Sequence, residues 1–278
     1  MSNKLKAFLQ LRHLGRPLAT LLLLWPTLGA LWIAAEGVHD IALVAFFLGL
    51  LFLMHCAALL FENLVSPGEP PHKTTLSTNE TMVLLAAFCL SAFLLILFTN
   101  TLTTMLSLGA LLIASLYPLA RRHTSLTALV SGSALSFGIP MAFAAQRGDL
   151  PPALWLLFLG NLLWFVAYEA QRGMATRESD QNHGIKSIAI LMGDADHLII
   201  ATLQGMYLLA LFMAGVRFEL GAFYNTAPEI ATAMFIYQHH ITRGQQAAAC
   251  MKAYRHNNWV GLVVFSGIVL HYLFDSIL

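Results

Sequence analysis

Charge is what this 278-residue chain has least of. Asp, Glu, Lys and Arg together make up 10% of it, against about 25% in soluble domains. Hydrophobic residues reach 58%, so an ordinary water-soluble domain is excluded. The net charge of +1 gives no sign of a nucleic-acid partner. Cysteine is also scarce. Cys56, Cys89 and Cys250 are odd in number and far apart, which excludes a disulfide framework and leaves them as small apolar packing residues.

What is abundant is apolar run after apolar run. Nine stretches, at 18–35, 41–61, 82–98, 103–118, 124–146, 151–170, 197–215, 221–238 and 258–277, each match the roughly 17–25 helical residues that cross a bilayer. The first follows a basic segment, as a signal peptide would, but its run is longer than a typical signal core and eight more follow, so it reads as a retained helix. With the N-terminus in the cytosol, thirteen of the fifteen Lys and Arg residues fall inside, and only Arg147 and Arg217 fall outside. One missed span would scramble that alternation, so the positive-inside rule tests count and orientation together. The expectation is an all-α integral protein of the inner (cytoplasmic) membrane, with nine transmembrane helices, its N-terminus cytosolic and its C-terminus external.

The external connections are terse, and the internal ones hold most of the polar residues: 62–81, 171–196 and the basic, polar 239–257. Irregular backbone at membrane depth needs water or protein partners, and long polar loops on one face are where a membrane protein builds a site. The site is therefore expected at the cytosolic face. Pro26 and Pro140 sit inside apolar runs, where each removes a backbone donor and favours a kink that opens space between helices.

Four strings then carry a resemblance: LRHLGRPLATLLLLWPTLGALWIA (11–34), SLYPLARRHTSLTALVSGSALSFGIPMAFAA (115–145), FLGNLLWFVAYEAQRGMATRESDQNHGIKSIAIL (158–191) and FIYQHHITRGQQAAACMKAYRHNNWVGLVVF (235–265). Together they resemble bacterial 4-hydroxybenzoate polyprenyltransferases of the UbiA superfamily of intramembrane prenyltransferases, over nearly the whole chain. The resemblance implies a UbiA-like single membrane domain, nine helices around a central cavity with its polar end towards the cytosol. It also implies two aspartate motifs, NDxxDxxxD and YDxxxxxxDRDDD, whose carboxylates hold Mg²⁺ on a prenyl diphosphate.

The departures from those motifs are specific. Glu62, Asn63, Ser66 and Pro70 stand where Asn and three Asp are expected. At the second motif Glu169, Thr176, Glu178, Ser179 and Asp180 stand for five aspartates, while Arg177 and the GIKS of 184–187 remain. Mg²⁺ demands hard oxygen ligands in near-octahedral geometry, so no metal is expected; if one binds, Glu62, Glu169, Glu178 and Asp180 are its ligands. On this basis the sequence predicts a diverged enzyme that cyclises or transfers a group on a lipophilic isoprenoid or polyketide-like substrate without the Mg–diphosphate clamp. The alternatives are the orthodox Mg-dependent aromatic polyprenyltransferase and a non-catalytic lipid-binding subunit.

His55 lies seven residues from Glu62 and shares its helix face, a pairing suited to moving protons because imidazole titrates near neutral pH. The expected catalytic set is His55, Glu62, Glu169 and Asp180. Arg16, Asn63, Tyr117, Arg121, Arg122, Arg172 and Lys186 are the expected substrate-binding set, the resemblance implying that such cations bind anionic groups. Arg172 or Lys186 is the expected partner of a carboxylate at the cavity mouth. His239, His240 and His256 lack the spacing of a closed metal site and read as solvated loop residues.

Overall fold

A segment in hydrocarbon must satisfy its backbone N–H and C=O groups internally, which leaves helices as the open-ended solution. In the computed structural model residues 17–37, 40–65, 77–182 and 184–275 are described, and among them there is no strand. The helices are α1 (Pro17–Ala34), α2 (Ile41–Val65), α3 (Thr78–Ile96), α4 (Thr101–Ser115), α5 (Tyr117–His123), α6 (Thr127–Ser136), α7 (Gly138–Arg147), α8 (Leu154–Asn182), α9 (Ile188–Met192), α10 (Asp196–Arg217), α11 (Ala222–Thr242) and α12 (Ala247–Leu270).

Local chemistry places the breaks. Pro118 sits at the start of α5, which separates it from α4. Pro140 has no N–H to give the carbonyl of Ser136, and the helix is interrupted there, between α6 and α7. Pro26, by contrast, is accommodated inside a continuous α1. Ser77 and Glu80 form a reciprocal capping box that starts α3.

Seven helical stretches among the described residues are long and apolar enough to cross a bilayer, and the chain is an integral membrane protein. The expected count of nine is not reached by that measure. Of α1 only Leu24–Ala34 enters that measure, although the helix is apolar from Leu18 onward, and α11 carries Asn225, Glu229, Gln238, His239 and His240 along its length. Two expected loops also shrink. The sixth apolar run continues as helix to Asn182, so most of 171–196 is helical, and α11 and α12 leave only 243–246 between them. Those polar residues were read as loop because apolarity, not helicity, ends there.

The core is centred on α8: 61% of its apolar 18-residue stretch is buried, against 17% for that of α3 and 11% for that of Thr101–Ala120. The latter two face outward, as lipid-contacting helices do. Chain segments before and after α8 pack on this one helix, which is why its side chains dominate the site.

Candidate active site

The helical repeat sorts α8 into two functional faces. Glu169, Thr176 and Asp180 are spaced seven and four apart and lie on one side. Thr176 donates its hydroxyl to Asp180 Oδ2 at 2.9 Å. Arg172 sits one turn from Glu169 and donates through Nε and Nη2 to Glu169 Oε2, at 2.8 and 2.6 Å. The Glu169 side chain is 17% exposed and that of Arg172 is 42% exposed, so the carboxylate is sheltered while its cation reaches the mouth. Glu178 is exposed.

The other predicted residues distribute around this row. Lys186 Nζ donates to the carbonyl of His123 at 3.3 Å, which ties the GIKS segment to the end of α5, the helix that carries Arg121 and Arg122. Tyr117 opens α5 and meets Phe61 edge-on at 6.3 Å, next to Glu62 in sequence. His55 is half-buried within α2. Glu62 and Asn63 lie on the last turns of α2, but their side chains and those of Arg121 and Arg122 are outside the described part. Arg16, Ser66 and Pro70 are outside the described residues altogether.

Sequence reasoning missed a buried amide chain on the second face of α8. Trp164 donates its indole N–H to Asn257 Oδ1 at 2.9 Å, and Asn257 donates to Gln171 Oε1 at 2.7 Å. Gln171 donates to Gln238 Oε1 at 2.9 Å, and Gln238 donates to His256 Nδ1 at 3.3 Å. Gln204 also donates to Gln238 Oε1, at 3.1 Å, and accepts from His239 Nε2 at 2.8 Å. Buried polar groups are costly unless bonded, and this chain satisfies them across α8, α10, α11 and α12. It corrects the solvated reading of His239 and His256: both are half-buried helical residues held by glutamines. The available signal was polar residues inside apolar helices, which are rare there.

A second missed element is Asp196. It is fully buried and pairs with Arg177 Nη2 at 2.6 Å. Arg177 donates further to the carbonyls of Ala189 and Gly193, at 3.0 and 3.4 Å. Gln245 adds a donor to Asp196 from the connection between α11 and α12, at 3.3 Å. Arg177, the cation of the second motif, thus staples the end of α8 to α9 and α10. Ser187 of the GIKS string caps α9.

Beside the second face of α8 lies a small apolar cavity of about 40 Å³, walled by α1, α7, α8, α10 and α12. Trp25 and Trp164 stand in its wall, and their N–H groups are turned away to Asn258 and Asn257, each at 2.9 Å. Asn161, also in the wall, donates to Ser136 Oγ at 2.9 Å.

Among the described residues no three His, Cys, Asp or Glu side chains gather into a metal-sized site, and Glu169 is engaged by Arg172. The first-motif side chains, those of Glu62, Asn63, Ser66 and Pro70, lie outside the described part, and no step below passes through a metal.

The pattern of a UbiA prenyltransferase family profile matches residues 23–260. The chain belongs to the UbiA prenyltransferase family. It is 45% identical over 275 residues to a 4-hydroxybenzoate octaprenyltransferase of Ectopseudomonas mendocina, spanning 95% of this chain and 93% of that one. It is 40% identical to the protein of the same name from Hahella chejuensis, spanning 98% and 94%. Among solved structures, the apo UbiA homologue from Aeropyrum pernix superposes with a TM-score of 0.77 at 20% identity, covering 92% of this chain and 99% of that one; at that identity it speaks to the fold. Family membership makes this chain a membrane transferase. The comparisons also correct the expectation of a diverged enzyme that cyclises or transfers a group without the Mg–diphosphate clamp. That expectation rested on a few motif positions, whereas relatives named for the orthodox reaction are 40–45% identical along nearly the whole chain.

Proposed function

We propose that this UbiA-family protein transfers a polyprenyl group from its diphosphate to 4-hydroxybenzoate or a close aromatic acid, at the cytosolic face of the inner membrane. The observation that carries the reading is the 45% identity with a 4-hydroxybenzoate octaprenyltransferase over almost the full length of both chains. The architecture suits it: cations at a polar mouth, and an apolar cavity beside the same helix.

In this reaction the allylic C–O bond breaks and its electron pair leaves with the diphosphate. A new C–C bond joins the prenyl terminus to the ring carbon ortho to the hydroxyl, since the para position carries the carboxyl group, and that ring carbon then gives up its proton. Arg172 and Lys186 are the described cations that bind the diphosphate, with α5 bringing Arg121 and Arg122 to the same end. Charge-assisted bonds of this kind are stronger than neutral ones. Glu169 is the motif carboxylate nearest the cavity along α8, five residues or ~7.5 Å of rise from Trp164. When Arg172 turns to the diphosphate, Glu169 is released from its ion pair and accepts the ring proton.

The proposed orientation has its own test. Reporter fusions after Ala145 and after Leu278 are both expected to read external; a cytosolic signal from either overturns the topology.

A further inference from the structure

The buried amide chain runs in one direction only, because Asn257 cannot turn over. An indole N–H can only donate, and a backbone carbonyl can only accept. Trp164 donates to Asn257 Oδ1 at 2.9 Å, and Asn257 Nδ2 donates to the carbonyl of Ala253 at 3.0 Å. With its amide locked from both sides, Asn257 also donates Nδ2 to Gln171 Oε1 at 2.7 Å. Gln171 then turns Nε2 to Gln238. The Gln238 oxygen accepts from it at 2.9 Å and from Gln204 at 3.1 Å. All four amide side chains are buried, so a bond pointing the wrong way leaves a costly orphan.

That direction reaches two histidines with opposite demands. Gln238 has only Nε2 left for His256 Nδ1, 3.3 Å away, so that nitrogen must keep its lone pair and the ring must be neutral. Gln204 has only Oε1 left for His239 Nε2 at 2.8 Å, so that nitrogen must carry a proton. Neutral and charged rings both meet the second demand, whereas only a neutral ring meets the first. Both histidines belong to the polar segment 239–257, outside the apolar runs. Among the described residues, the other titratable groups against the His256 ring are Tyr237 of α11, with centroids 5.2 Å apart, and Lys252 one turn earlier on α12. Lys252 opposes a second positive charge there.

We propose that His256 is a positioning residue for the site on α8, its neutral ring closing a one-way chain that protonation breaks. Its effect on turnover rests on the prenyl transfer proposed above. A proton on Nδ1 sets a donor against the Gln238 amide. Gln238 cannot turn over without facing its own donors to those of Gln171 and Gln204, and Gln171 cannot follow because Asn257 is locked. The cost therefore falls on Gln171, which lies about 200° around α8 from Glu169. Its bonds to Gln238 and Asn257 hold α8 against α11 and α12, and so fix how the helix turns Glu169 and Arg172 to the mouth. Turnover is full while His256 is neutral and falls as pH drops through its protonation.

The test has two arms, both on purified protein in lipid nanodiscs. In the first, histidine rings labelled with ¹³C are titrated by NMR, with His256 and His239 assigned by loss of signal in His256→Asn and His239→Asn. Gln171→Met and Asn257→Leu each free the remaining amides to turn. The His256 midpoint is then expected to rise by about one pH unit, a roughly 10-fold gain in proton affinity, the scale of a buried donor no longer opposed. The His239 midpoint is expected not to rise, which separates the effect from general loosening. In the second arm, transfer of octaprenyl diphosphate to 4-hydroxybenzoate is followed against pH. His256→Asn keeps an acceptor at the δ position and takes up no proton, so the acid-side loss is expected to move to lower pH. A His256 midpoint that rises in neither variant, a rise in both histidines together, or an acid-side loss that His256→Asn does not move overturns the proposal. Absence of turnover by the unaltered protein overturns instead the transfer reaction, and the titration then decides the chain by itself.

Discussion

Glu169→Gln is expected to lower kcat by roughly 10²–10⁴-fold, the range for loss of a positioned general base. The substitution keeps the shape and the oxygen that accepts from Arg172, but removes the negative charge needed to take a ring proton. Arg172 holds this side chain through two contacts to one oxygen, so expression and detergent stability should change little. The effect should therefore appear in kcat far more than in KM for the diphosphate, measured by release of diphosphate and by labelled aromatic product. Unchanged turnover would remove Glu169 from the chemistry and leave it as the partner that orients Arg172.

The second large effect concerns stability. Arg177→Met leaves Asp196, fully buried, without its cation. Breaking a buried pair from one side costs about 3–5 kcal/mol, because an uncompensated charge remains inside, whereas replacing both partners is often close to neutral. The single variant should lose monodispersity in detergent at a markedly lower temperature than the parent. Arg177→Met with Asp196→Leu should recover most of that loss, a coupling read by a double-mutant cycle. If the two single losses simply add, the pair is not the staple that joins α8 to α9 and α10.

Much of this architecture was legible before any coordinates. Apolar length and charge sidedness gave the membrane class, and the strings around Pro140, Gly184 and Asn257 gave the family. The less apolar α11 showed where apolarity alone misjudges a helix: Gln238 and His239 interrupt the hydropathy yet continue the helix, because their polar groups are satisfied by Gln171, Gln204 and His256 rather than by water. The same accounting explains the misread histidines. Polar side chains inside a bundle look like loop in one dimension, and only the packing of four helices shows who bonds them.

The candidate site was legible unevenly. Positions 169 and 180 follow from the motif and Arg172 from the polar groups beside it, and their shared helix orders them without further information. Asp196 does not announce itself, because it matters through a partner nineteen residues away. The reading of the chemistry failed for a related reason. Lost aspartates were weighed as lost reaction, although identity with orthodox relatives is spread over the whole chain.

The most direct test is transfer itself. Purified protein in lipid vesicles, with Mg²⁺ in the buffer, is given octaprenyl diphosphate and ring-labelled 4-hydroxybenzoate, beside the Ectopseudomonas mendocina relative under the same conditions. The account predicts a labelled prenylated aromatic acid, with one diphosphate released per product. No labelled product from this chain while the relative turns over would contradict it.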